Sequence, residues 1–81
     1  MKFTETQDGK EITLKIEGML DRATVPQLDL FRDSISKEAD AHVTIDASEI
    51  IHIDKEGVHF IGEIHRTVKM GHGSLKVVGL G

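Results

Sequence analysis

Apolar and polar residues alternate from Ile12 to Leu20, with Ile12, Leu14, Ile16, Gly18 and Leu20 on one parity and Thr13, Lys15, Glu17 and Met19 on the other. This pattern predicts a strand with one buried and one wet face. Upstream, a short strand around Phe3 runs into Asp8-Gly9, a pair that tolerates positive φ in a tight turn, so the two segments read as a β-hairpin. After Asp21 the period changes. Val25, Leu28, Phe31, Ile35 and Ala39 share one stripe at helical spacing with Asp29 and Asp33 opposite, which predicts a helix from about Val25 to Lys37. Thr24-Val-Pro-Gln27 has the form of a capping box at its start, and Pro26 is tolerated in a first turn. Leu30 falls off the stripe and is expected to be partly exposed.

Alternation returns in a third strand, His42 to Asp46, with Val43 and Ile45 inward. A short connection carrying Ile50, Ile51 and Ile53 leads to Asp54, which is placed to cap a second helix from Lys55 to about Met70. On a helical wheel Gly57, Val58, Phe60, Ile61, Ile64, His65 and Val68 fall in one half, and Lys55, His59, Gly62, Glu63, Arg66 and Lys69 in the other. Gly57 lies mid-stripe. A helical glycine costs about 1 kcal/mol relative to alanine, so its presence there implies that the start of the helix presses closely on the sheet. Gly71 and Gly73 end the helix, GHGS at Gly71 to Ser74 reads as a turn, and Leu75 to Val78 form a fourth strand. The expected fold class is α/β in the order β-β-α-β-α-β. Right-handed crossovers would then give a four-stranded mixed sheet with two helices on one face.

An 81-residue chain with 38% apolar and 30% charged residues is expected to form one domain, residues 1–81, with one core. The net charge is −4 and the basic residues are scattered, which argues against nucleic acid as a partner. No apolar run is long enough to cross a bilayer, so membrane insertion is not expected. The chain has no cysteine, which excludes thiolate metal sites and disulfides and agrees with a cytoplasmic protein. Its five histidines have no metal-ligand spacing, and neither a metal nor a cofactor is expected. His65 is expected at the edge of the core and His59 in solvent. Asp46 and Asp54, at the ends of segments leading out of the sheet, are candidates for acid/base work with a histidine. No nucleophile with an adjacent base and no glycine-rich phosphate loop accompanies them.

The ordered set GMLDRATVPQL at Gly18 to Leu28, VTIDASEIIHIDKEG at Val43 to Gly57 and LKVVG at Leu75 to Gly79 resembles the STAS domain, the sulfate transporter and anti-sigma factor antagonist family. Gly18, Leu20 and Asp21 are similar to its G-x-L-D turn, Asp46 and Ser48 to its D-L-S strand end, and Asp54 and Gly57 to the outer residues of its D-S-S-G loop. The match is collinear over nearly the whole chain. The resemblance implies a non-enzymatic bacterial interaction module of the anti-sigma factor antagonist type, acting in transcription regulation and signalling. Its protein partner would dock at the N-terminus of the second helix, through Asp21, Ser48, His52, Asp54, Lys55, Glu56, Gly57 and His59.

In the anti-sigma antagonist branch the serine before the loop glycine is phosphorylated by a partner anti-sigma kinase, which breaks the complex. Glu56 stands at that position here and Lys55 replaces the other serine, so the site is not phosphorylatable at residue 56. Glu56 either mimics the phosphorylated state or is a first-turn carboxylate in a branch without the switch; the second reading is preferred. His52 sits where the family usually has an apolar or aromatic residue. The partner implied is an anti-sigma kinase or, alternatively, the ATPase of an ABC-type lipid transporter to which the chain would be an accessory subunit. A small acid/base enzyme is the lower alternative. Family members usually continue past the fourth strand with a further helix, which is missing from these 81 residues. The exposed edge this leaves would be covered by a partner or by a second copy, making a homodimer an expectation, unless the chain has been cut.

Overall fold

The computed structural model describes residues 1–80. Strands β1 (Lys2–Asp8) and β2 (Glu11–Leu20) form the hairpin, and a 3₁₀ turn (Val25–Leu28) leads into α1 (Asp29–Ser36). Strand β3 (His42–Ile53), helix α2 (Lys55–Met70) and strand β4 (Ser74–Val78) complete the chain. The sheet order is β1-β2-β3-β4, with β1 antiparallel to β2 and the other neighbours parallel. This is the mixed four-stranded α/β arrangement expected from the alternation of periods. In the hairpin Asp8 faces Glu11 across Gly9-Lys10, and Gly9 has a φ of 61°. Positive φ at the first central residue is the pattern of a type II′ turn, whose twist matches the strands it joins.

One cluster forms the core between the sheet and the two helices. Ile12, Leu14, Ile16 and Leu20 of β2 and Val43 and Ile45 of β3 meet Leu28, Phe31 and Ile35 from one crossover and Phe60, Ile64 and Val68 from the other. Each such side chain removed from water contributes roughly 1.5–3 kcal/mol. Arg32 joins α1 to α2 by reaching Glu63 at 2.7 Å while also pairing with Asp29 on its own helix. The opposite parity of β2 carries Thr13, Lys15 and Glu17 to a sheet face that no helix covers among the described residues.

The structure departs from the sequence reading in three places. The capping box at Thr24 does not form. Asp21 lies closer and its Oδ1 accepts from the N–H groups of Ala23 and Thr24, both at 3.0 Å. The Thr24 hydroxyl is turned back, accepting from the Asp21 N–H and donating to the Met19 carbonyl. The helix begins as a tight 3₁₀ turn; it stops at Ser36, and Ala39 beyond it is exposed. Second, β3 continues beyond Asp46 to Ile53, because two register shifts against β2 absorb the extra residues. Third, Val58 is 59% exposed and His65 is also exposed. The buried stripe of α2 is only as wide as the sheet and α1 can cover, namely Gly57, Phe60, Ile64 and Val68. Leu30 is exposed as its place off the stripe predicts.

Candidate functional site

Asp54 organises the end of the molecule where β2, β3 and α2 meet. Its backbone is extended, and its Oδ1 accepts from the Gly57 N–H at 3.0 Å, the N-cap bond that an α-helix start requires. Oδ2 accepts from the Arg22 N–H at 3.1 Å, so one carboxylate ties the loop after β2 to the head of α2. These bonds, Gly57 first, together with nearby His52, hold the Asp54 pKa below its ordinary value against a partial desolvation. Gly57 lies underneath. A Cβ there would run into the Leu20 carbonyl oxygen and stand 2.7 Å from Ile53 Cγ1, which is the close approach anticipated from its mid-stripe position.

The distal part of β3 is shaped by its two bulges. Between the pairs Lys15–Asp46 and Glu17–Glu49, β3 has one residue more than β2, and between Gly18–Ile50 and Met19–His52 it has Ile51 extra. At the first bulge Asp46 Oδ1 accepts from both the hydroxyl and the N–H of Ser48, at 2.6 and 3.0 Å. The hydroxyl bond, then the backbone bond, lowers the Asp46 pKa. At the second bulge Ile51 is pushed off the ladder and stands 82% exposed, with His52 also in solvent. Bulges re-aim side chains in this way wherever pairing is interrupted. The segment after β4 bends back alongside, and Ala47, Ile51, His52 and Leu80 edge a shallow cleft.

Of the residues anticipated from sequence, Asp21, Asp54 and Gly57 converge structurally: the two carboxylates fasten the loops and Gly57 is buried beneath them. Ser48 and His52 lie along the bulged arm of β3. Lys55, Glu56 and His59 line a hollow on the first turns of α2. His59 is exposed, as expected, but its Nε2 is 2.8 Å from Glu63 Oε1. Glu63 has its pKa lowered chiefly by the hydrogen bond from Arg32. Of the exposed apolar residues of this end, Met19 lies on the wet parity of β2, as expected, whereas Ile51, Val58 and Leu80 were not anticipated as surface residues. Ile50, Ile51 and Ile53 could have signalled it, since strict alternation cannot bury all three.

The arrangement is suited to contact more than to proton transfer. Asp46 and Asp54 are both held in their ionised form by donors within the loops, the opposite of a carboxylic acid poised near neutral pH. Among the described residues no group of three or more His, Asp or Glu side chains is placed to hold a metal ion. No helix there is long and apolar enough to cross a membrane.

A family model described as "Mlab, STAS domain" matches residues 3–81. Comparison with curated proteins gave no match. Among solved structures, the chain is similar to the anti-sigma factor antagonist SpoIIAA in its unphosphorylated form, at 17% identity and a TM-score of 0.75, over 94% of this chain and 71% of that one. It is also similar to an antisigma-factor antagonist STAS domain from Rhodobacter sphaeroides, at 23% identity and a TM-score of 0.74, over 98% and 86% of the two chains. A third similar structure is Mglu, at 18% identity and a TM-score of 0.74; the match covers 93% of this chain but only 19% of the length of Mglu. At these identities the structures speak to the fold, which they share with this chain throughout. With the family model spanning all but the first two residues, the chain belongs to the STAS domain family.

Proposed function

We propose that this STAS domain is a cytoplasmic protein-interaction module, an anti-sigma factor antagonist-like regulator that docks a protein partner on the distal arm of β3 and the head of α2. The observation that carries this reading is Ile51, 82% exposed on a bulge. Burying an isoleucine contributes roughly 1.5–3 kcal/mol, and a strand without the bulge would turn alternate residues to the core. Val58 and Leu80 are exposed at the same end, and His52, Lys55, Glu56 and His59 supply a polar rim. An apolar centre with a polar rim is the usual anatomy of a protein interface.

Glu56 gives the first turn of α2 a permanent carboxylate, which the helix dipole favours by about 0.3–1 kcal/mol. A phosphoryl group has no acceptor there, so the covalent switch of the antagonist branch is absent at this position and the complex is constitutive. That absence also favours a second reading, an accessory subunit bound to the ATPase of an ABC-type lipid transporter, since such a role needs no release by a kinase.

Capture from the native cell lysate separates the two. Recovery of an anti-sigma kinase supports the regulator, and recovery of a transporter ATPase supports the accessory subunit. Where a kinase is recovered, incubation with ATP should label Glu56→Ser and leave the natural chain unlabelled. Phosphate on the natural chain, at Ser48 for instance, would overturn the claim of a lost switch.

A further inference from the structure

We propose that two copies of this chain pair antiparallel through β1 about a twofold axis, making one sheet continuous across both. This surface is separate from the docking end of β3 and α2, and its test does not depend on that reading. β1 ends the sheet order, so among the described residues one of its edges has no neighbour, and all seven of its residues are exposed. Its register with β2 runs without a bulge from Lys2 to Asp8. In a two-residue hairpin the closing pair, here Asp8 and Glu11, exchanges both backbone bonds, and bonding then alternates along the strand. Lys2, Thr4, Thr6 and Asp8 therefore spend their backbone groups on β2. Phe3, Glu5 and Gln7 turn theirs outward in a straight row, the template that strand addition uses.

The other edge is a poorer template. β4 has five residues, and it lies beside only the His42–Asp46 part of β3 before Gly79 bends the chain against Ser48. β1 is longer and unobstructed.

Charge selects a second copy as the occupant. With the axis through Glu5, Lys2 falls opposite Asp8 of the second copy at both ends of the new ladder, Thr4 opposite Thr6, and Phe3 opposite Gln7. Asp8 faces the like-charged Glu11 within its own hairpin, and among the described residues neither Lys2 nor Asp8 is in an ion pair. The second copy supplies the missing counter-charge to each, Asp8 to Lys2 and Lys2 to Asp8. Such self-complementarity is what an isologous interface requires. Phe3 pairs with the buried Ile16 and so lies on the helix side of the sheet, where it is 38% exposed. Leu30, 85% exposed, is on the flank of α1 away from Arg32 and hence away from α2. These two, from both copies, would line the trough between the paired α1 helices. Glu5 facing Glu5 is the one opposed contact, and it provides a handle.

Sedimentation equilibrium of the full chain from micromolar to millimolar concentration tests the pairing, with circular dichroism confirming that each variant folds. The natural chain is expected to dimerise and Glu5→Gln to tighten the dimer about fivefold, while Lys2→Glu and Asp8→Lys each weaken it about tenfold or more. Mixing Lys2→Glu with Asp8→Lys restores opposite charges at both ends, so the mixture should form a heterodimer tighter than either variant's own dimer. Monomers throughout for the natural chain and Glu5→Gln would overturn the proposal. So would a dimer indifferent to the charge swap, or one broken by Lys76→Pro on β4.

Discussion

From His42 to Asp46, β3 is paired on both sides, to β2 and to β4, and its side chains alternate strictly between wet and buried. From Ala47 to Ile53 it is paired to β2 through two bulges, and Ser48, Glu49, Ile51 and His52 are all exposed. The same strand thus follows two regimes. A slip of one residue in the doubly paired half would turn Val43 and Ile45 out of the core, so register there is fixed by burial. In the distal half the ladder admits extra residues, and the side chains they release, Ile51 above all, stand in solvent. The core half specifies the fold and the bulged half specifies the surface.

Substitutions should separate the two regimes. The largest effect is expected in the doubly paired half: Ile45→Ala leaves a cavity at a site of 0% exposure and should cost about 2–5 kcal/mol, read from the urea midpoint. Next comes the junction at Gly57. Alanine would improve helix propensity by about 1 kcal/mol, but its Cβ collides with the Leu20 carbonyl, and net destabilisation of about 1–3 kcal/mol is expected. A more stable Gly57→Ala would refute the close approach.

Asp54→Ala removes the cap and the tie to Arg22 and should lower the thermal midpoint by a few degrees at pH 7. Because the folded pKa of Asp54 is depressed, its contribution is fully present above the unfolded value. It is lost as pH falls through the folded one, so the gap between natural chain and variant should close progressively below 3.8. A gap that persists in strong acid would assign the effect to something other than the ionised carboxylate. The smallest change in stability belongs to the bulge: Ile51→Ala should stay within about 0.5 kcal/mol of the natural chain in the same urea titration.

Much of the doubly paired region was legible in the sequence, because burial on one face writes a period that needs no tertiary information. Ile12 to Leu20, Val43 and Ile45, the Asp54 cap and the packed Gly57 all follow from period and local chemistry. The Thr24 capping box failed because the Thr24 hydroxyl is spent on the Asp21 N–H and the Met19 carbonyl while Asp21 Oδ1 takes the Thr24 N–H, and sequence spacing does not rank these partners. Val58 and His65 were assigned to a buried half-cylinder that is wider than a two-layer fold can cover. The bulged arm was hidden for a different reason. Its register depends on how β2 runs beside it, and only the awkward parity of Ile50, Ile51 and Ile53 hints at the result. The family resemblance located this stretch, but the exposure of Ile51 is visible only in the folded structure.

The central claim, that the bulged end is where a partner binds, is tested most directly by placing a photo-crosslinking residue at position 51 or at Met70, an equally exposed apolar position at the far end of α2. Irradiation in native cells followed by mass spectrometry should give a defined protein adduct from position 51 and none from position 70. Adducts from position 70 with none from position 51 would contradict the account.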